Sequence, residues 1–447
     1  MVEQANIRQF TDEGESSSGQ ETVRLKHLAR INPAKSEISD LNPETDVSFV
    51  PLEDFSTDGE IKNTETRPLE EVYDGYTYFR EGDIAIAKIT PSFENGKGAI
   101  CQGLENDIGF GTTELHVLRP RKGVSSKFLW YLLRSEPFKQ GGEAAMKGVA
   151  GQQRIPSEFL EEFSISIAPK TKRDTIVRNL EEIISYIDDL ADRLDRLEKT
   201  LSERRNTIID LGITGKLIQN AVMKDTKVSW IPRLPNNWSS TKLKYIVDEP
   251  IAYGIVQPGP DIESGVPYIR VSDLIEGELP EDGYMRTTTE IHEQYSRSVV
   301  HPGDLIMSIR ATVGKVMQVP DHLEEANLGR GIARIRPDKS VNGDFLYYVL
   351  NSSLAHQEFN RLSKGATFSE VTLEMVRNLE IPLPPIEEQR QVVDQIQAGL
   401  ESGQHLDEKV SECESLIEEK RQALITAAIT GQIDVSEVKS EVKTSQI

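Results

Sequence analysis

Glu60-Ile61-Lys62, with Glu53 and Asp54 just upstream, has the acid-x-lysine form of a metal-dependent nuclease. A tripeptide this short recurs by chance in any long chain, so alone it assigns nothing. Gly109-Phe110-Gly111 begins like a dinucleotide fingerprint, but Glu114 stands where the third glycine belongs. Gly96-Lys97 and Gly314-Lys315 are not followed by Ser or Thr, and both lack the upstream glycine of a phosphate loop. The seven histidines are scattered without ligand spacing, and the two cysteines form no paired zinc motif. These residue types point to binding rather than to catalysis.

The elements that would position a binding surface are written twice. The stretch Lys172 to Gly215 recurs 216 residues later as Glu388 to Gly431, and both copies close on Ile-Thr-Gly. Glu81-Gly82-Asp83-Ile84 answers Pro302-Gly303-Asp304-Leu305, and Phe128-Leu129-Trp130-Tyr131 answers Phe345-Leu346-Tyr347-Tyr348. A period this long exceeds any solenoid unit and implies two whole domain-plus-helix units. Apolar residues at Ile176, Leu180, Ile183, Ile187, Leu190, Leu194, Leu197, Leu201, Ile208 and Leu211 follow alternating steps of four and three, broken only at Arg204. The second copy keeps that register through Val392, Ile396, Leu406, Val410, Cys413, Ile417, Leu424 and Ala427, with Lys420 in phase with Arg204. A 3.5-residue period is the seam of a coiled coil. Gly399 and Gly403 replace Ile183 and Ile187, which leaves room for a bulkier group to approach.

Composition bounds the rest. The chain has 447 residues, 37% of them apolar, and no apolar run long enough to span a membrane. Cys413 falls in the helix seam, so no disulfide framework is expected and a cytoplasmic location is. The net charge of −22 opposes nucleic-acid binding unless positive charge is concentrated in a patch. Residues 386–447 hold 6 basic against 13 acidic residues, so such a patch belongs on the bodies between the helices.

Short alternating runs such as Gly82 to Ala87 and Gly303 to Ser308, separated by Gly, Pro, Asn and Asp, read as strands and turns. Short helices are expected at Lys127 to Leu133 and Asp344 to Leu350. The expected fold is α+β: two β-rich mixed bodies joined by two long helices in an antiparallel coiled coil with pseudo-twofold symmetry. The expected segments are a disordered extension (1–22), a first body (23–168), a central helix (169–220), a second body (221–383), a C-terminal helix (384–435) and a disordered tail (436–447).

Two divergent bodies, each followed by a long helix ending in Ile-Thr-Gly, resemble the specificity subunit of type I restriction–modification systems. The most specific passage is Leu379-Glu380-Ile381-Pro382-Leu383-Pro384-Pro385-Ile386-Glu387-Glu388-Gln389. Further passages are Tyr253-Gly254-Ile255-Val256-Gln257-Pro258 with Tyr268-Ile269-Arg270, and Asn236-Asn237-Trp238 ahead of Lys242-Leu243. Ile89-Thr90-Pro91-Ser92-Phe93-Glu94-Asn95-Gly96-Lys97 is similar to a loop common in target-recognition domains. The resemblance covers about residues 23 to 435. One departure is clear: the first long helix opens Pro169-Lys170-Thr171-Lys172-Arg173, without Pro-Pro or Glu-Gln.

The resemblance implies a non-catalytic subunit that reads an asymmetric, bipartite site on double-stranded DNA through two target-recognition domains. It implies two adenine methyltransferase subunits that use S-adenosylmethionine, and motor-nuclease restriction subunits that use ATP and Mg, with no cofactor on this chain and no membrane partner. Pseudo-twofold symmetry suits the two strands of a duplex. Arg and Lys suit guanine, Asn and Gln suit adenine, and phosphates take generic donors. Candidate contacts in the first body are Lys88, Thr90, Asn95, Lys97, Gln152, Gln153 and Arg154. In the second they are Tyr253, Gln257, Arg270, Arg310, Thr312, Lys315, Lys364 and Thr367. Gly82, Gly303 and Asp304 read as turn formers. Two alternatives stand: a specificity subunit for a lone methyltransferase or a two-subunit restriction system, and a coiled-coil scaffold for proteins.

Overall fold

The computed structural model describes residues 21–149, 151–274, 279–310, 314–363 and 371–444. The chain divides into two compact units, residues 1–194 with 412–447, and residues 195–411. Each is built on the same plan.

The first unit holds two four-stranded sheets. One orders Ala29–Ile31, Leu115–Pro120, Ile84–Ala87 and Gly98–Ile100, all antiparallel. The other orders Glu65–Pro68, Asp46–Val50, Ile108–Gly111 and Thr77–Arg80, with one parallel pair at its centre, Asp46–Val50 beside Ile108–Gly111. The second unit repeats this topology. Its antiparallel sheet runs Ala252–Tyr253, Ile332–Ile335, Leu305–Ser308 and Val316–Gln318. Its mixed sheet runs Met285–Thr287, Val266–Ile269, Ala326–Leu328 and Val299–Val300, again with one central parallel pair. Ile84–Ala87 and Leu305–Ser308 are buried at every residue, as a strand covered on both faces must be.

Each central strand follows a Gly-Asp turn. Gly82 and Gly303 sit at φ +82° and +85°, where a side chain is strained. Asp304 does more than form that turn, which corrects the sequence reading. Its buried carboxylate accepts from Nε and Nη2 of Arg336, both at 2.7 Å, and from the His301 backbone. Asp83 does the same with Arg119, at 2.8 Å twice, and with the Arg80 backbone. Arg119 also pairs with Glu37, and Arg336 with Glu249. Hydrogen bonds from these arginines hold the Glu37 and Glu249 carboxyls below their usual range; for Glu249 the larger donor is Arg334.

The expected short helices form at Ser126–Leu133 and Gly343–Asn351, capped by the side chains of Ser125 and Asn342. The long helices span Lys170–Ile213 and Ile386–Thr430. In the second unit Arg205 pairs with Asp407 and Gly212 faces Ile396. Numbers rise on one helix as they fall on the other, so the pairing is antiparallel. In the first unit Ala168 N bonds Ile429 O at 3.0 Å and Asp188 pairs with Arg421, the same sense.

Burial along the seam is uneven. Ile176, Leu180, Ile183, Leu201, Val392, Ile396 and Val410 are buried, whereas Leu190, Leu197 and Leu406 are exposed. The polar interruption is satisfied, since Arg204 donates to Ser402 at 3.0 Å. Gly399 does admit a bulky group, Ile208 of the first long helix, whose Cγ2 lies 3.0 Å from a built Cβ; Gly403 has nothing within 4 Å. The shared Ile-Thr-Gly ending is a helix stop. Gly215 and Gly431 turn left-handed at φ +70° and +72°, and Lys216 N and Gln432 N reach back to Leu211 O and Ala427 O. That is a Schellman closure, for which glycine is the natural residue.

The Glu-Gln pair is an anchor. Glu388 accepts from Asn237 and from Trp238 Nε1 at 2.8 Å. Gln389 is fully buried, accepting from Asn342 N at 2.7 Å and donating to Pro384 O and Ser340 O at 2.9 and 3.1 Å. At the corresponding place in the first unit, Arg173 donates to Ala168 O and Glu21 and lies over Phe128. The departure noted in the sequence is thus a different anchor at the same position.

Two expected disordered ends need correction. Glu21–Arg24 is a strand paired with Ser164–Ile167, so residues 21 and 22 are ordered by backbone pairing that composition does not reveal; residues 1–20 lie outside the described residues. Val435–Thr444 is a helix rather than a tail. Val435 is buried, Ser436 accepts from Asn179, and Lys439 reaches Asn179 and Glu182.

Candidate nucleic-acid interface

Two loops that are far apart in the first body's sequence meet in the fold. After the buried strand Ile84–Ala87, the Lys88 N–H donates to Glu114 O and the Lys88 C=O accepts from Ile155 N, both at 2.9 Å. Thr90 N bonds Gln153 O at 3.0 Å, and its hydroxyl touches the same carbonyl and Met146 Sδ. Lys147 and Arg154 exchange backbone bonds at 2.9 and 3.0 Å. Lys88, Thr90, Gln152, Gln153 and Arg154 therefore share one region, and Asn95 and Lys97 close its loop through Pro91 O and Ser92 O.

A buried histidine fixes that region. His116 Nε2 lies 2.9 Å from Ile155 O, which can only accept, so Nε2 carries the proton. Asn32 Oδ1 accepts from Val117 N, which leaves Asn32 Nδ2 to donate to His116 Nδ1 and Ser157 Oγ. Burial pushes the His116 pKa below its usual value and keeps the ring neutral, as these roles require. Sequence reasoning missed His116 and Asn32, because a lone histidine carries no spacing signal.

Arg154 is already engaged. Its Nε and Nη2 both donate to Glu114 at 2.8 Å, and that bidentate bond holds the Glu114 carboxyl below its ordinary range. The pair is partly exposed, so competition from a phosphate or a base edge can open it. Arg270 is engaged likewise: Asp273 accepts from its backbone at 2.8 Å and from Nη2 at 2.7 Å.

In the second body, Ile309 N bonds Gly331 O and Val371 N bonds Ile309 O, which draws three segments together. Arg310 and Lys315 follow the buried strand Leu305–Ser308, and Ser308 holds the carbonyls of both. A Cβ at Gly331 would meet Val271 at 3.1 Å and Arg310 at 3.4 Å, so the Arg270 turn borders the same region. Tyr253 pairs with Ala333, and Gln257 is exposed in the following loop. Gly254 is required there, since a Cβ would fall 1.9 Å from Gly329 O. Thr312, Lys364 and Thr367 lie outside the described residues.

The acid-x-lysine tripeptide takes a different role. Ile61 bridges to Phe55, Lys62 N bonds Asp54 O, and the Asp54 carboxylate accepts from Asn63. Among the described residues no group of three or more His, Cys, Asp or Glu is gathered to hold a metal, and no helix is long and apolar enough to cross a membrane.

Residues 258–402 match the family of type I restriction modification DNA specificity domains. The type I restriction enzyme EcoAI specificity subunit of Escherichia coli is 38% identical over 46% of this chain and 36% of its own length. The EcoBI specificity subunit, also of Escherichia coli, is 26% identical over 63% of this chain and 60% of its own length. The chain thus spans about a third to three-fifths of these curated relatives. A putative type I restriction enzyme MjaX specificity subunit of Methanocaldococcus jannaschii is 27% identical over 79% of both chains. Among solved structures, a chain from work on complex assembly and conformational transition of a type I R-M system aligns over 92% of this chain and 97% of its own. Its TM-score is 0.61 at 22% identity, a likeness of fold.

Proposed function

We propose that this chain is a specificity subunit of a type I restriction–modification system, the DNA-recognition subunit of such a complex. Each body reads one half of an asymmetric, bipartite duplex target. The long helices carry two adenine methyltransferase subunits and the motor-nuclease restriction subunits. S-adenosylmethionine, ATP and Mg then serve those partners, and this chain contributes recognition. The carrying observation is that the two units share strand topology, helix closure and the backbone bonds just after their central strands but carry different residues there, Lys88 and Ile89 in one and Ile309 and Arg310 in the other. A shared frame with divergent loops suits two half-sites of different sequence.

Within each body, backbone bonds such as Thr90 N to Gln153 O fix loop position, which leaves side chains to distinguish bases. The arginines held by Glu114 and Asp273 are proposed to exchange those carboxylates for DNA, which keeps them ordered while unbound. The test is duplex binding by the chain with its methyltransferase subunits across a salt series. Affinity should fall linearly in log–log form and depend on sequence. Binding only to proteins, with no affinity for any duplex, would instead establish the scaffold reading.

A further inference from the structure

The first unit contains a hollow of about 380 Å³ beside the Asn95–Lys97 turn. Its floor is apolar, with Phe93, Trp130 and Phe138 all buried. Its rim carries Lys97, Arg134, Lys139 and Arg421 against Asp58 and Glu418, an excess of cations in a chain of net charge −22.

Arg134 is the telling group. It is half-buried, donates to Thr57 O, and lies 5.1 Å from the Trp130 ring centroid. No carboxylate among the described residues lies within ion-pair distance of it, and burial pulls its pKa down. Lys97 and Lys139 also have no ion pair among the described residues. Arg421 is paired with Asp188, yet its buried Nε lacks a hydrogen-bond acceptor and stands 3.6 Å from Glu418. Drawing cations together around a hollow costs both desolvation and mutual repulsion, and an anion in the hollow offsets both.

The second unit keeps Lys315 and Arg205 at the places of Lys97 and Arg421 but not the other two cations. Counting 217 residues on, Asn351 replaces Arg134, His356 replaces Lys139 and Tyr347 replaces Trp130. The Asn351 amide closes onto the Val316 backbone at 3.0 and 3.2 Å.

We propose that this hollow is a phosphate-binding seat that the first body has and the second lacks. Guanidinium and ammonium donors from three separate segments of the chain suit a tetrahedral oxyanion. The phosphate is either a backbone phosphodiester of bound DNA or free inorganic phosphate. Only the DNA source rests on the proposed function.

The experiment uses the full chain with its methyltransferase subunits. Inorganic phosphate is titrated calorimetrically against wild type, Arg134→Asn and Lys139→Gln. The expected result is saturable binding weakened at least tenfold, roughly 1.4 kcal/mol, in either variant. Lys139→Gln keeps the test decisive should Arg134→Asn fail to fold, because the Lys139 side chain makes no hydrogen bond or ion pair among the described residues, whereas Arg134 bonds Thr57 and stacks on Trp130. In the second arm, the salt dependence of duplex affinity should lose about one phosphate's worth of slope if DNA is the source. An unchanged slope with phosphate binding lost assigns the seat to free phosphate. No phosphate binding together with an unchanged slope overturns the proposal, even if wild type still binds its duplex in a sequence-dependent way. A wild type that binds phosphate but no duplex overturns the DNA-reading function and leaves the seat standing.

Discussion

The two bodies share their frame closely and differ where the frame ends. Each has an antiparallel sheet, a mixed sheet with one central parallel pair, and a Gly-Asp turn whose buried carboxylate grips an arginine. Past those strands the chemistry separates. His116 props the first body's loops, whereas Ala333 occupies the corresponding position in the second. Gln389 anchors one long helix and Arg173 the other. A repeat can thus keep its backbone plan while exchanging the side chains that perform a given task.

The most damaging break should come at the shared grip. Asp304→Ala and Asp83→Ala each remove the buried carboxylate that accepts two bonds from an arginine, leaving it Glu249 or Glu37 alone, and should cost about 3 kcal/mol. Denaturant unfolding of the two variants would check it. A large loss in one and none in the other would mean that the repeated grip is not equivalent.

Next comes close backbone approach. Gly254→Ala would drive a Cβ into Gly329 O, and should destabilise by about 2 kcal/mol. A smaller effect of opposite sign is expected at Gly403, which sits in a long helix with nothing within 4 Å of its built Cβ. Gly403→Ala should stabilise by about 0.8 kcal/mol. Thermal melts of both variants decide whether the two glycines differ as claimed; two shifts of the same sign would refute the contrast.

The mildest test uses pH. Burial holds His116 below its ordinary value of 6.5, so the unfolded chain takes up a proton that the folded chain resists. Its contribution is full above about pH 6.5 and declines as pH falls toward the folded value. His356 is buried in the second body with the same direction of shift, so wild type carries both effects. His116→Gln should reduce the acid-induced loss of stability without abolishing it. An unchanged pH slope would show that His116 does not resist protonation.

Much of the frame was legible because it obeys short-range rules. Periodicity marked the long helices, and the Ile-Thr-Gly endings marked their closure, since a left-handed glycine stop needs particular residues at particular offsets. The exposed Leu190, Leu197 and Leu406 show where periodicity misleads: it reports a face, not what covers it. The strand at Glu21–Arg24 and the helix at Val435–Thr444 escaped notice because partners distant in sequence order them. The candidate contacts were chosen by residue type near glycine turns. That found loops which do converge, but it did not show that Arg154 and Arg270 are held by Glu114 and Asp273. Nor could it show Arg134, which shares its hollow with Asp58 and Glu418 yet forms no ion pair among the described residues.

The central claim is that each body reads its own half-site. It is tested most directly by replacing residues 23–168 with the corresponding body of a relative and sequencing the adenine methylation made with the methyltransferase subunits. The account predicts a new sequence in one half of the methylated motif, with the other half and the spacer unchanged. A change in both halves at once would contradict it.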